Sequence, residues 1–269
     1  MTSGSKSPVA AAFRKAAERA EALASESSVA QEPLRFAAGL YRAQAEVAAS
    51  IQSLHAKNPL SGRLETDAPR LVEPLRRMHQ HVAERAPPVL AAVARDRLAE
   101  DAKVAQARLA VYWIGTRDDR EDYLTRAALR PYAEVLVRNQ VSIDRPKPSS
   151  LCPHCGGQPW VAARRTQPNT HGAQRLLVCA LCGSEWVVNR IRCPACGEED
   201  PKKLPSFNTD RYPAARIEAC ESCHHYVKSI DLTLDARAIP EVDDLLSVGL
   251  DLWAAEQGYA RIEPGLAGV

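Results

Sequence analysis

The chain has 269 residues, 45% of them hydrophobic and 5% aromatic, with a net charge of +2. That size and apolar content can build a sizeable core and exclude an intrinsically disordered protein, while scarce aromatics and abundant alanine favour helices packed through small side chains. Side chains sum to roughly +3 over residues 1–144, +5 over 145–230 and −6 over 231–269, well short of a nucleic-acid-binding footprint. 

No run approaches the roughly 18 apolar residues needed to cross a bilayer, and the first stretch has no apolar signal-peptide core. A cytoplasmic protein is therefore expected. After a Ser/Gly-bearing start, an Ala/Glu/Arg run from about Pro8 reads as a short helix with a mostly polar surface. From Glu32 to Lys57, Leu34, Ala37, Tyr41, Ala48, Ile51 and Leu54 recur at three- and four-residue steps, the signature of an amphipathic helix ended by Asn58-Pro59. Asp67 reads as the cap of the next helix, ahead of Ala68-Pro69, and Leu71, Leu75, Met78 and Val82 stripe it. Past Pro87-Pro88, two more helices are expected at about 88–114 and 119–139. Val89, Leu90, Val93, Leu98, Leu109 and Trp113 are core candidates in the first, and Tyr123, Leu124, Ala127, Ala128, Leu136 and Val137 in the second. His55, His79 and His81 lack a cysteine or acidic partner in a ligand pattern and read as ordinary core or surface histidines.

Asp144 to Ser150, with two prolines and two serines, reads as a linker. Short β-prone runs follow, and a last helix is expected over about 240–257 with Gly258 as its C-cap. The expected fold class is α plus small β. A helical bundle occupies 1–144, a tandem four-cysteine region 145–234 (units at 151–184 and 192–226), and a helix with its tail 235–269.

All eight cysteines form four C-x-x-C pairs: Cys152 with Cys155, Cys179 with Cys182, Cys193 with Cys196, and Cys220 with Cys223. Such a turn presents two sulfurs to one tetrahedral metal, and two turns complete an S4 shell. Four disulfides are the competing reading, but they belong mainly to small exported domains that lack a core. Twenty-three residues separate Cys155 from Cys179, and again Cys196 from Cys220. This repeat predicts one site from the first two pairs and a second from the last two; a cross-brace of first with third pair is the alternative. A strand from Glu185 to Arg192 is expected to leave the first ribbon and enter the second.

Gly156, Gly183 and Gly197 follow the second cysteine of their pairs, where a left-handed backbone turns an amide toward sulfur; His224 holds that place in the fourth. His154, His171, His224 and His225 are expected to be exposed, since eight thiolates already fill two sites. Zinc and a single iron both suit S4 geometry. A closed shell favours a structural staple over electron transfer or free thiol exchange. No Ser/His/Asp arrangement, phosphate loop or His-Glu-x-x-His motif supports an enzyme.

The ordered set Cys152-Pro-x-Cys155-Gly, Cys179-x-x-Cys182-x-Ser-Glu-Trp186, Cys193-x-x-Cys196 and Glu218-x-Cys220-x-x-Cys223, then Tyr226-x-Lys228, resembles the formate dehydrogenase accessory protein FdhE family. Asp243-Asp244-Leu245, Leu250-Asp251 and Glu256-Gln257-Gly258-Tyr259-x-Arg261 extend the likeness, which covers residues 151–263; the tail departs from it with Glu263-Pro-Gly-Leu in place of Asn-Pro-Phe. The resemblance implies a cytoplasmic maturation factor rather than an enzyme. It implies a protein that binds the catalytic subunit of formate dehydrogenase through a region needing its eight cysteines, which take iron in a rubredoxin-like manner. A zinc-ribbon nucleic-acid module and a rubredoxin-like redox protein are the alternatives, and homodimerisation is left open.

Overall fold

Six helices precede Pro146 and seven short strands follow it, in a computed structural model that describes residues 7–115, 122–166 and 172–268. The chain divides into two compact units: residues up to Ala22 with Arg35–Pro146, and Leu23–Leu34 with Lys147–Val269.

The helices are α1 (Pro8–Glu26), α2 (Gln31–Lys57), α3 (Leu64–Arg85), α4 (Pro88–Ala99), α5 (Ala102–Ile114) and α6 (Tyr123–Arg138). In the first unit Phe13, Tyr41, Ile51, Leu71, Met78, Leu129 and Tyr132 are fully or almost fully buried. Arg130 sits over both Phe13 and Tyr41, its guanidinium carbon 5.4 and 5.8 Å from the ring centres, while Trp113 packs against Tyr132 at 5.3 Å. These contacts give a bundle with scarce aromatics its few large interlocking parts.

Four expectations need correction. The first helix is not mostly polar, because Val9, Phe13, Ala17 and Ala20 all lie buried along it. Asp67 is not the cap of α3; it lies in the first turn, where its carboxylate accepts from the backbone N–H groups of Ser61 and Gly62 and, at 2.7 Å, from the Tyr132 hydroxyl. It ties the entering loop to α6, which a buried carboxylate can do only when every lone pair has a donor. The run expected at 88–114 breaks at Glu100-Asp101, with Asp101 accepting from the N–H groups of Lys103 and Val104 to start α5. Finally, Val89 is 81% exposed and Val93 38%, so neither belongs to the core.

The second unit holds β1 (Pro159–Thr166), β2 (Ala173–Cys179), β3 (Glu185–Val187), β4 (Ser206–Asn208), β5 (Ala215–Ala219) and β6 (His225–Asp231). It continues into α7 (Pro240–Asp243), a 3-10 turn (Asp244–Ser247), α8 (Val248–Glu256) and β7 (Ala260–Arg261). The helix expected over 240–257 is thus three short pieces. All seven strands join one sheet in the order β3-β2-β1-β6-β5-β4, with β7 beside β6. Each ribbon is an antiparallel meander, and β1 joins β6 in parallel, pairing Val161 with Lys228 and Ala163 with Ile230. The expected shared strand from 185 to 192 is therefore replaced: β3 stops at Val187 and pairs with β2, and the ribbons merge through β1 and β6 instead. One face packs Val161, Ala163, Val178, Ile217 and Ile230 with Leu250 and Ala254 of α8, and the opposite face gathers Ala162, Leu177, Val227 and Ile262.

Lys228, wholly buried on β6, is held between Asp244 (3.0 Å) and Asp251, and also donates to the carbonyls of Asp244 and Ser247. Arg261 of β7 bridges the same two carboxylates at 2.9 and 3.1 Å, and the Tyr226 hydroxyl donates to Asp251 at 2.9 Å. Two cations and two anions cancel, so the cluster tolerates burial while fixing α8 and β7 against β6.

Lys228→Met strands two buried carboxylates against one guanidinium and should lower stability by about 3–5 kcal/mol. Equilibrium denaturation checks it, and unchanged stability would contradict this account of the cluster. His79 offers a pH prediction. Burial foremost, then Arg97 and Arg76, push its pKa down to about 4 against the opposing charge of Asp122. Unfolded histidine titrates near 6.5, so below that pH the unfolded chain takes a proton that the folded one refuses. The His79 contribution is complete above roughly pH 6.5 and is lost as pH falls toward 4, by about 3 kcal/mol. His79→Gln should flatten that part of the stability profile relative to the parent.

Candidate metal centres

Four times in the second unit the backbone makes the same turn. The N–H of the residue after each second cysteine donates to the carbonyl of the first: Gly156 to Cys152 (2.8 Å), Gly183 to Cys179 (3.1 Å), Gly197 to Cys193 (3.0 Å) and His224 to Cys220 (2.9 Å). One residue further on, a carbonyl returns the bond, with Cys152 donating to Gly157, Cys179 to Ser184, Cys193 to Glu198 and Cys220 to His225. The closing turn residue is left-handed every time, at φ +67°, +65° and +82° for the three glycines and +54° for His224. Histidine in that region costs about 1–2 kcal/mol of local strain. It is held there by neighbours: its carbonyl accepts from the Ala260 N–H at 2.8 Å, and its ring lies 6.2 Å from that of Tyr259.

The turns meet in pairs. Cys152, Cys155, Cys179 and Cys182 place four sulfurs within 4.8 Å of one another, and so do Cys193, Cys196, Cys220 and Cys223. Between knuckles, Cys152 and Cys182 stand 3.6 Å apart, Cys155 and Cys179 3.4 Å, and Cys193–Cys223 and Cys196–Cys220 both 3.7 Å. Four sulfurs about 2.3 Å from a central zinc would stand roughly 3.8 Å apart at the corners of a tetrahedron. The donor set and its spacing thus fit one tetrahedral metal in each cluster, and zinc and iron satisfy it equally. The first knuckle does not meet the third, as a cross-brace would require.

The two clusters differ in exposure. In the first, Cys152, Cys155 and Cys179 are fully buried and Cys182 is 4% exposed; in the second, Cys196 is exposed and Cys223 half-buried. Hydrogen bonds from the three neighbouring thiols hold the Cys152 thiol well below its ordinary pKa, while its bond to Cys152 pushes Cys155 up and burial pushes Cys179 up. Such a shell, closed to water, favours holding a cation over holding four separate thiolates.

Sequence reading missed Gly157. Its N–H donates to Cys155 Sγ at 3.3 Å, and a Cβ there would stand 2.7 Å from Cys179 Sγ, so only glycine fits between the two knuckles. The Gly156-Gly157 doublet was the available signal. Ser184, the serine of the Cys182-x-Ser-Glu motif, lies 3.2 Å from Cys182 Sγ. Of the four histidines expected to be exposed, His154 and His224 are, His225 is half-buried with Nδ1 2.7 Å from the Cys223 carbonyl oxygen, and His171 lies outside the described residues.

His224→Gly should relieve the left-handed strain and raise stability by about 0.5–1 kcal/mol, read by thermal or chemical denaturation at constant metal content. A chelator should strip the second cluster before the first, because water reaches Cys196 and Cys223. Metal release should be biphasic, and Cys196→Ser should remove the fast phase alone; a single phase would count against this difference.

Comparison with known proteins follows the same division. Residues 151–190 match the FdhE central domain and residues 191–266 the FdhE C-terminal domain, one cluster falling in each. The FdhE homologue of Aquifex aeolicus is 37% identical over 119 residues, 44% of this chain and 42% of that protein. That of Pseudomonas aeruginosa is 39% identical over 121 residues, 44% of this chain and 39% of that protein. These matches therefore span about two fifths of the relatives' length. The crystal structure of the FdhE protein from Pseudomonas aeruginosa superposes with a TM-score of 0.66 at 25% identity, covering 94% of both chains. The chain therefore carries the FdhE central and C-terminal domains and shares the fold of that FdhE structure.

Proposed function

We propose that the protein is a formate dehydrogenase accessory factor that binds the catalytic subunit of that enzyme in the cytoplasm and is needed for its activity, without catalysing a reaction itself. In this reading all eight cysteines are ligands: Cys152, Cys155, Cys179 and Cys182 to one metal, and Cys193, Cys196, Cys220 and Cys223 to a second. The observation that carries it is the placing of one complete four-sulfur shell within each matched FdhE domain. A metal bound there would cross-link the two knuckles of each shell and reinforce a sheet whose core is small. The chain's own residues then have one task, which is to hold a rigid surface for a partner. Among the described residues no helix is long and apolar enough to cross a membrane.

The exposure of Cys196 and the half-burial of Cys223 favour one second reading, a redox-active iron at the second cluster alone. Reversible bleaching of visible absorbance on reduction would support it, and a colourless protein with two zinc ions from the native host would overturn it.

The main reading predicts that affinity purification from the native host recovers the formate dehydrogenase catalytic subunit. Deleting the gene should abolish formate dehydrogenase activity while its transcript persists. Cys152→Ser with Cys155→Ser should fail to restore it, and His224→Gly, which keeps all eight thiols, should restore it fully. Normal activity in the deletion strain would sink the proposal.

A further inference from the structure

Beside the second cluster, a cleft of about 220 Å³ opens where the two ribbons meet. Arg175 of β2, Arg190 and Arg192 of the segment joining the ribbons, and Arg216 of β5 all line it, next to Cys193. Among the described residues that line it, Glu218 is the only carboxylate, which leaves a balance of three positive charges.

Two of the guanidiniums are built in. Arg175, 6% exposed, donates Nε to Glu218 at 2.7 Å and Nη1 to the carbonyls of Asn189 and Arg192 at 3.1 and 3.0 Å. It thereby ties down the segment that carries the two outer arginines. Arg216 grips the other Glu218 oxygen with Nε and Nη2 at 3.1 and 2.7 Å. Both Glu218 oxygens are thus used in positioning arginines, and neither is left to neutralise the outer pair. Arg190 is exposed and donates to the Ala173 carbonyl; Arg192 is exposed and, among the described residues, its side chain reaches only Glu199 on the open surface, at 3.3 Å. Each guanidinium keeps N–H groups that none of these bonds employs.

We infer that this cleft binds the phosphate or diphosphate group of a small ligand. A carboxylate has only two oxygens to offer, and Glu218 already has both taken by Arg175 and Arg216; a second carboxylate would bring one negative charge against three positive ones. A phosphoryl group brings two or more charges and oxygens pointing in several directions, which suits donors converging from both ribbons and the segment between them. The volume admits one or two phosphoryl groups and little more. Fusion of the ribbons through β1 and β6 acquires a use here, since the site exists only where the two modules meet. The inference stands apart from the accessory role, because it concerns the isolated chain and requires no client.

Calorimetric titration of the metal-loaded full chain with pyrophosphate at low ionic strength tests it, with inorganic phosphate and a triglutamate peptide as comparison probes. Saturable pyrophosphate binding that weakens with added salt is expected. Arg190→Gln with Arg192→Gln should weaken it by about ten- to a hundredfold, the effect of losing charge-assisted bonds, while metal content and thermal midpoint stay unchanged. Absence of saturable binding, equal affinity in the double variant, or tighter binding of triglutamate than of pyrophosphate would overturn it. Arg190→Lys with Arg192→Lys, which keeps charge but not the planar fork, should bind with intermediate affinity; full affinity there would overturn the guanidinium geometry claimed for the site.

Discussion

Everything in the second unit depends on bringing four sulfurs to within bonding distance of a common centre, twice. A C-x-x-C turn alone supplies half a shell, so a second turn some thirty residues away must return to the first. In the first ribbon an antiparallel hairpin does this: Pro159 pairs with Cys179 across β1 and β2, so the chain leaving one knuckle runs straight back into the other. In the second ribbon the antiparallel hairpin of β4 and β5 ends at Ala219, beside Cys220, and β6 leaves from His225. The second and fourth knuckles therefore stand at strand ends, where the sheet register positions them.

A second constraint acts on the opposite side of β6. Lys228 buries a charge that only Asp244 and Asp251 can neutralise, and Arg261 completes the balance. A broken helix serves this better than a straight one. The 3-10 turn at Asp244–Ser247 aims the Asp244 and Ser247 carbonyls as well as the Asp244 carboxylate at one ammonium group. The arrangement fixes β7, whose Ala260 N–H holds the His224 carbonyl, so the charge cluster is mechanically connected to the fourth knuckle. The strain at His224 is thus borne by a turn clamped from outside as well as from within.

These relations were unevenly legible in the sequence. Equal spacing identified which cysteines meet, because loop length is written directly in residue numbers. The helices of the first unit were visible wherever an apolar stripe met a proline or a cap. What escaped was non-local. Asp67 resembles a helix cap until the Tyr132 hydroxyl, 65 residues away, is seen to claim it. The parallel pairing of β1 with β6 joins segments with three intervening C-x-x-C knuckles, and no local pattern announces it. Lys228 and Asp251 belonged to a recognisable motif, yet nothing local indicates that a lysine on a strand will be wholly buried.

Unequal exposure of the two clusters follows from their places in this sheet. The first knuckles are sealed by their own ribbon: Gly157 lets Cys179 and Cys155 close on each other, and Ala180 and Leu181 are buried beside them. The second cluster instead faces the side where chain is short and charged, with Glu198, Glu199 and Asp200 following Cys196. Glu198 is held well into its ionised form, down to about 2, chiefly by the Ser222 hydroxyl, and the bond between them clasps the third knuckle to the fourth. A polar clasp holds geometry without excluding water, whereas an apolar seal does both. One cluster is therefore built to be permanent and the other to be reached, and the arginine cleft opens beside the one that can be reached.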